Sequence, residues 1–267
     1  MGKKKAEKLR FQEVEADFAD ESIPAIEYRH VCKEYEEGSG VLAVDDLNLS
    51  IADGEFAMLV GSSGGGKTTM MKMVNGLITP TSGQVLVSGH DVQDFDLVDL
   101  RRHIGYSIQG SVLFPNMSVG KNIAYVMQLE KHPDKEAVEA RVHELIEMVG
   151  LDDSMLKKYP DELSGGQQQR VGIARAMANH PRLLLMDEPF GAVDSITRKS
   201  LQDEILGIFE KTDVTILFVT HDVNEALKLG TKVAVMDTGV LQQYASPDEM
   251  IAHPATPYVE RLLEGRN

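Results

Sequence analysis

Apolar residues change their spacing several times along this chain. Segments 26–33, 44–51 and 55–61 carry strand-type patterning, separated by turn material at Glu37-Gly38-Ser39-Gly40 and Ala52-Asp53-Gly54. The apolar run 56–60 feeds a glycine-rich stretch and a helical pattern from 67 to about 77, which stops near the breaker Thr79-Pro80-Thr81-Ser82-Gly83. Residues from about 111 to 163 read mainly as helices; within 135–149, Val138, Val142, Leu145 and Val149 recur at helical spacing. A helix from 166 to about 179 follows, then a strand at 183–187, a helix at 196–210, a strand at 215–219, a helix at 223–229 and a hairpin around Asp237-Thr238-Gly239. Strands alternating with helices predict an α/β fold with a mainly parallel sheet covered on both faces and a site at the strands' C-terminal ends.

This pattern divides the chain. Residues 1–24 are charged and weakly periodic and read as a flexible or helical extension, ahead of one domain over 25–267. Within that domain a helical lobe, about 111–163, interrupts the α/β pattern, and a short helical tail, about 246–267, ends it.

Composition narrows the classes. With 42% hydrophobic residues the chain is expected to fold as a globular protein. Its longest apolar runs (56–60, 183–186 and 215–219) fall far short of the roughly 20 residues that cross a bilayer. The basic start runs directly into charged sequence, so neither a secretory signal nor a lipid anchor is expected, and a cytoplasmic location is. The single cysteine, Cys32, fits a reducing compartment. A net charge of −15, from 27 basic and 42 acidic residues, argues against nonspecific nucleic-acid binding, and the three lysines at 3–5 read as a solvated tail.

Chemistry enters at Gly61-Ser62-Ser63-Gly64-Gly65-Gly66-Lys67-Thr68-Thr69, which carries the full P-loop pattern between a predicted strand and a predicted helix. Glycines there let backbone N–H groups converge on phosphate oxygens at a helix N-terminus. Lys67 is placed to reach the β and γ phosphates, and the Thr68 hydroxyl to ligate Mg²⁺. Leu183-Leu184-Leu185-Met186-Asp187-Glu188 is an apolar strand ending in two carboxylates. Asp187 is expected to hold Mg²⁺ through its water shell and Glu188 to polarise the attacking water. Neighbouring strand residues face opposite ways, so both serve one site only where the chain bends, a break assigned to Pro189.

The discriminating string is Leu163-Ser164-Gly165-Gly166-Gln167, followed by Gln168-Gln169-Arg170. Ser164 suits a helix N-cap, and a capped N-terminus with exposed glycine N–H groups is also a phosphate cradle. Together with the P-loop and the acidic strand end, this string resembles the signature of ABC (ATP-binding cassette) ATPases over about residues 25–263. The resemblance implies a P-loop NTPase core with an N-terminal antiparallel β portion and an inserted α-helical subdomain. It also implies a head-to-tail dimer in which Ser164 and Gly166 of one copy close over the ATP held by Lys67 of the other. Gln109 resembles the Q-loop glutamine that senses Mg²⁺ and the γ-phosphate, and Asp194 the D-loop aspartate that crosses the dimer. His221 resembles the switch histidine that contacts the γ-phosphate, and Tyr35 the aromatic that stacks on adenine. ATP and Mg²⁺ are the implied ligands. The implied partners are a second copy, transmembrane permease subunits and, indirectly, a solute-binding protein, with no nucleic acid; the implied place is the cytoplasmic face of the cell membrane, held peripherally.

Within that family, Asp187-Glu188-Pro189-Phe190-Gly191-Ala192, Leu100-Arg101-Arg102-His103-Ile104-Gly105-Tyr106 and Leu113-Phe114-Pro115-Asn116-Met117-Ser118-Val119 are similar to importer ATPases for quaternary-amine osmoprotectants such as glycine betaine, choline and carnitine. Val193 and Ser195 stand where relatives more often show Leu and Pro, and the chain ends before the paired regulatory repeats many of them carry. Importers of another solute (amino acid, sulfonate or polyamine) and an ABC ATPase outside transport are the alternatives.

Overall fold

The computed structural model describes residues 8–14, 20, 22–36, 38, 40–108, 110, 113–130, 132–191 and 193–265. A short helix α1 (Phe11–Val14) precedes strands β1 (Ile26–Glu34), β2 (Leu42–Ile51) and β3 (Phe56–Gly61) and helix α2 (Lys67–Val74). Strands β4 (Ser82–Val87) and β5 (His90–Asp91), helix α3 (Leu97–His103) and strand β6 (Ile104–Ser107) follow. The helical lobe holds α4 (Val119–Ala124) and α5 (Lys135–Met148) and leads into α6 (Gly165–Ala176). The chain then alternates through β7 (Leu183–Asp187), α7 (Ser195–Phe209), β8 (Thr215–Val219), α8 (Val223–Leu229), β9 (Lys232–Asp237) and β10 (Val240–Ala245), and ends in α9 (Pro247–Ala252) and α10 (Pro257–Glu264).

Two sheets result. One is antiparallel, in the order β2-β1-β4-β5. The other runs β10-β9-β3-β8-β7-β6, parallel except where β10 returns against β9. Strand alternation divides the parallel sheet's side chains between two cores. Phe56, Met58, Leu184, Met186, Ile216, Phe218, Val233 and Val235 face one, with α5, α6 and α7. Ala57, Leu59, Leu183, Leu185, Leu217, Val219, Ala234 and Met236 face the other, with α2 and the antiparallel sheet. A sheet buried on both faces needs such continuous apolar strands, and β7 and β8 are buried throughout. Burial of each large aliphatic or aromatic side chain contributes about 1.5–3 kcal/mol, so the two cores on this central sheet are a main source of the fold's stability.

The N-terminal stretch differs from the expected extension. Leu9 exchanges backbone hydrogen bonds with Asp94 and Asp96 at 3.0 and 2.8 Å, and Phe11 N–H donates to Asp99 Oδ2 at 2.7 Å. The Phe11 ring stacks on His103 at 4.8 Å, and Phe11 and Val14 belong to the core. Residues 9–14 are thus docked on α3, a contact that a few apolar side chains in a charged stretch do not announce. β4 differs too: it begins at Ser82, inside the segment read as a breaker, because β1 supplies a partner that pairs Cys32 with Ser82 and Tyr28 with Val85. Helix α2 ends at Val74, three residues short of the expected end.

Candidate functional site

Strand β3 delivers the chain to the glycine-rich loop, and sterics explain two of its glycines. At Gly61 (φ 144°) an added Cβ would lie 1.8 Å from the Met236 carbonyl oxygen on neighbouring β9. At Gly66, the N-cap of α2 (φ 90°), it would lie 2.4 Å from the Ala43 carbonyl oxygen. The loop is braced from below, where Ser62 Oγ donates to Asp237 Oδ1 at 2.9 Å. Lys67 crosses the loop, its Nζ donating to the carbonyls of Gly61 (3.0 Å) and Ser62 (2.7 Å). Burial holds the Lys67 ammonium below the ordinary lysine range, against the upward pull of Glu188 and Asp187. Ser63 and Gly64 form the exposed rim, while Gly65 lies buried beneath it.

Thr68, in the first turn of α2, donates to Asp187 Oδ1 at 3.0 Å, so the loop and the end of β7 meet. Burial raises the Asp187 pKa; the Thr68 hydrogen bond lowers it, Glu188 adds to the rise, and Lys72 and Lys67 oppose it. A hydroxyl and a carboxylate are hard oxygen donors, fit for Mg²⁺ that takes its remaining ligands from phosphate and water. Thr69 is held by Tyr35, whose hydroxyl lies 2.9 Å from Thr69 Oγ1 while Lys33 Nζ sits 5.5 Å from the ring centroid. Tyr35 as a residue is 62% exposed beside the loop.

Glu188 follows β7 with φ 45°, the left-handed region that non-glycine residues rarely adopt. The sharp turn falls on Glu188 itself, one residue before the Pro189 expected to make it. Its N–H donates to the Val219 carbonyl at 3.0 Å, which keeps it in line with β8 while its side chain leaves the strand's alternation. Glu188 Oε2 lies 3.7 Å from Nδ1 of the exposed His221, just beyond β8. Strain of this kind costs of order 1–3 kcal/mol and points to a conformation kept for its geometry.

The signature string forms a second group. Ser164 caps α6, its Oγ accepting from Gln167 N–H (3.3 Å), while Gln167 Oε1 accepts from Ser164 N–H (3.0 Å). Leu163 is buried beneath this capping box, and Ser164 and Gly165 are exposed. A Cβ on Gly166 would come within 2.5 Å of Thr197 Cγ2, so the signature turn packs on the start of α7. There Asp194 is the N-cap, accepting from Ile196 and Thr197 N–H (3.0 Å each) and from Thr197 Oγ1 (2.6 Å), bonds that hold its carboxyl below its ordinary range. Helices α2 and α6 contribute to different cores, on opposite faces of the parallel sheet.

One chain therefore gathers Tyr35, Lys67, Thr68, Thr69, Asp187, Glu188 and His221 around the loop, while 163–167 and Asp194 form a second group at the starts of α6 and α7. Gln109 lies outside the described residues. Asp237, read only as part of a hairpin turn, emerges as the brace of Ser62; its role depends on β9 lying next to β3, which no local pattern reveals.

Comparison with known proteins identifies the family. The ABC transporter family profile matches residues 44–191. The osmoprotectant import ATP-binding protein OsmV of Salmonella typhimurium is 48% identical over 225 residues, covering 84% of this chain and 59% of that protein. The glycine betaine uptake system ATP-binding protein YehX of Escherichia coli is 44% identical over 238 residues, covering 89% of this chain and 76% of that protein. A solved dimeric structure of a post-hydrolysis state of an ATP-binding cassette, bound to ADP and Pi, superposes with a TM-score of 0.75 at 32% identity, covering 83% of this chain and 98% of that one. The chain spans 59 to 62% of the length of the first four curated relatives it matches. With this profile match and these relatives over most of its length, the chain belongs to the ABC transporter family.

Proposed function

We propose that this chain is the ATP-binding and ATP-hydrolysing subunit of an ABC importer, and that the imported solute is a quaternary-amine osmoprotectant such as glycine betaine. The observation that carries the hydrolytic reading is the convergence of three strand ends. β3 gives the loop with Lys67, β7 gives Asp187 and the turned-out Glu188, and β8 leads to His221 at 3.7 Å from Glu188. Glycine N–H groups and Lys67 bind the triphosphate, and Glu188 takes the proton of the attacking water while His221 orients it. Thr68 and Asp187, with Gln109 as a further contact, would hold Mg²⁺, which when bound would supply charge neutralisation at the phosphate oxygens.

The second half of the site comes from a second copy. Ser164 and Gly165 are exposed, as are Asp194 and the adjacent Ile196, which is 84% exposed. Two shared nucleotides then close the pair. Switching a two-state assembly from 1:99 to 99:1 needs about 5.5 kcal/mol of differential binding.

The permease reads this motion through the helical lobe, where a groove of about 690 Å³ between α4 and α5 is lined by Ala124, Val138, Val142 and Leu156, with Lys121 and Lys135 at its rim. No helix among the described residues is long and apolar enough to cross a membrane. The relatives' names as ATP-binding proteins of import systems support a peripheral place at the cytoplasmic face, beneath permease subunits served by a solute-binding protein. The relatives' names support the solute class. Relatives named for sulfate/thiosulfate and for spermidine/putrescine import, at 40 and 42% identity, support a second reading in which the solute differs. The test is uptake of labelled glycine betaine, choline, sulfate and spermidine in a strain lacking this chain. Loss of the quaternary amines alone, restored by the wild-type chain and not by Glu188→Gln, is the expected result; loss of another solute instead replaces the substrate, and no loss of any overturns the transport reading.

A further inference from the structure

Behind Glu188 and His221 lies a buried polar chain that the proposed chemistry does not itself use. Glu225, on α8, is 5% exposed, and its Oε1 accepts a hydrogen bond from Gln202 Nε2 on α7 at 2.9 Å. Gln202 Oε1 in turn accepts from Lys228 Nζ at 3.0 Å, and Lys228 also reaches Asp203 Oδ1 at 3.2 Å. The Gln202 amide therefore stands between a cation and an anion, with donor and acceptor both committed and a single orientation allowed. Burial raises the Glu225 pKa, the hydrogen bonds from Thr220 and Gln202 lower it, Asp222 adds to the rise and Arg198 opposes it.

The chain ends next to the reacting groups. Thr220, buried and immediately before His221, accepts from Asp222 N–H through its Oγ1 at 3.0 Å, which leaves its hydroxyl proton for Glu225. On the α7 side, Gln202 lies two turns beyond the Asp194 cap, and Arg198 between them approaches Asp222 Oδ2 at 3.7 Å. A small cavity between α7 and this loop is bounded by Glu188, Arg198, Thr220, His221 and Glu225.

We propose that Glu225 is a positioning residue for hydrolysis: clamped by Gln202 and Thr220, it fixes α7, which begins at Asp194, relative to the loop that presents His221 to Glu188. The inference rests on the reading of Glu188 and His221 as the hydrolytic pair. Glu225→Gln keeps the volume but sets a new N–H either against the Gln202 amide, which already donates, or against the Thr220 hydroxyl, which must then turn and accept, so at least one bond of the clamp is lost or reversed. The double variant Gln202→Glu/Glu225→Gln exchanges carboxylate and amide. Lys228 then donates to a carboxylate at 202, the amide at 225 donates to the same carboxylate, and the amide carbonyl accepts from Thr220, so every bond returns with the charge moved.

The experiment measures steady-state ATP hydrolysis, ATP affinity and Tm for the full chain and these variants, with Glu188→Gln alongside. Glu225→Gln is expected to lower kcat roughly 10- to 100-fold, the scale of a small misplacement of catalytic groups, with ATP affinity within about twofold. The double variant is expected to recover kcat to within about threefold of the parent. An unchanged kcat in Glu225→Gln, or a folded double variant no faster than the single one, overturns the proposal; where the single variant does not fold, the double variant decides. A parent chain without ATPase activity, or an active Glu188→Gln, removes the hydrolytic reading and this inference with it. An active parent, an inactive Glu188→Gln and an unaffected Glu225→Gln remove this inference alone.

Discussion

Glu188 Oε2 stands 3.7 Å from His221 Nδ1, too far for a hydrogen bond between them and near enough for both to address one oxygen at about 2.8 Å. The two residues follow adjacent parallel strands, and the left-handed turn at Glu188 directs the carboxylate toward the histidine rather than along β7.

Removing that carboxylate isolates the chemical step. Glu188→Gln is expected to lower kcat by about 10²- to 10⁴-fold while leaving ATP affinity near that of the parent, so that closed dimers accumulate with ATP. Turnover assays and size-exclusion chromatography with nucleotide check this, and near-parental hydrolysis would take Glu188 out of its role.

Ser164 separates capping from closure. Ser164→Ala removes the hydrogen bond to Gln167 N–H and is expected to destabilise the fold by about 1 kcal/mol, read as a lower Tm. Ser164→Arg places a long cation where a second copy must approach, and is expected to spare ATP binding to an isolated chain but to prevent ATP-driven dimerisation. Dimers that form as readily as before would contradict the shared site.

Tyr35 offers a ring and a hydroxyl with different duties. Tyr35→Phe loses the contact with Thr69 but keeps the stacking face, and ATP affinity is expected to stay within about twofold. Tyr35→Ala loses the face, and affinity is expected to drop about 3- to 10-fold, as for an interaction of about 0.5–1.5 kcal/mol. Calorimetric titration with ATP measures both, and equal losses would assign the effect to the hydroxyl.

Gly61 tests the steric account of the loop. A methyl at this position meets the Met236 carbonyl oxygen at 1.8 Å, so Gly61→Ala must push β9 away from β3. A loss of about 3 kcal/mol or more in urea unfolding is expected. A variant as stable as the parent would mean that the sheet yields more easily than its packing indicates.

The pH response of Glu225 has a definite sign. Its folded pKa is raised, chiefly by burial, so the folded state holds that proton more tightly than the unfolded chain. The site is therefore least favourable above its folded pKa, and its contribution improves as pH falls through that value toward the ordinary glutamate range. Glu225→Gln lacks this titration while keeping Asp222, Arg198 and Lys228. The Tm of the parent minus that of the variant is expected to rise between pH 7.5 and pH 5, and a flat or falling difference would contradict the assignment.

The parts legible in the sequence are those set by local pattern. The apolar runs of β3, β7 and β8 mark strands buried on both faces, and the turn chemistry of 61–69 and 163–167 marks two glycine-rich helix starts. What stayed hidden depends on partners distant in the chain. β4 becomes a strand at Ser82 because β1 pairs with it, and Phe11 joins the core because His103 offers a flat surface. Sequence alone assigns the bend to Pro189, since proline is a visible breaker, whereas the left-handed backbone falls at Glu188, which carries no local signature for it. Glu225 likewise reads as an ordinary polar residue until Gln202, 23 positions away, is seen to hold it.

The brace beneath the phosphate loop bears on how quickly a nucleotide settles. With Gly61 wedged against Met236, Ser62 tied to Asp237 and Lys67 spanning the loop's own carbonyls, the receptor has little slack to take up. On the proposed reading, an arriving triphosphate would need little rearrangement of this loop, and the free energy of capture would be left for drawing two subunits together instead of for tidying one.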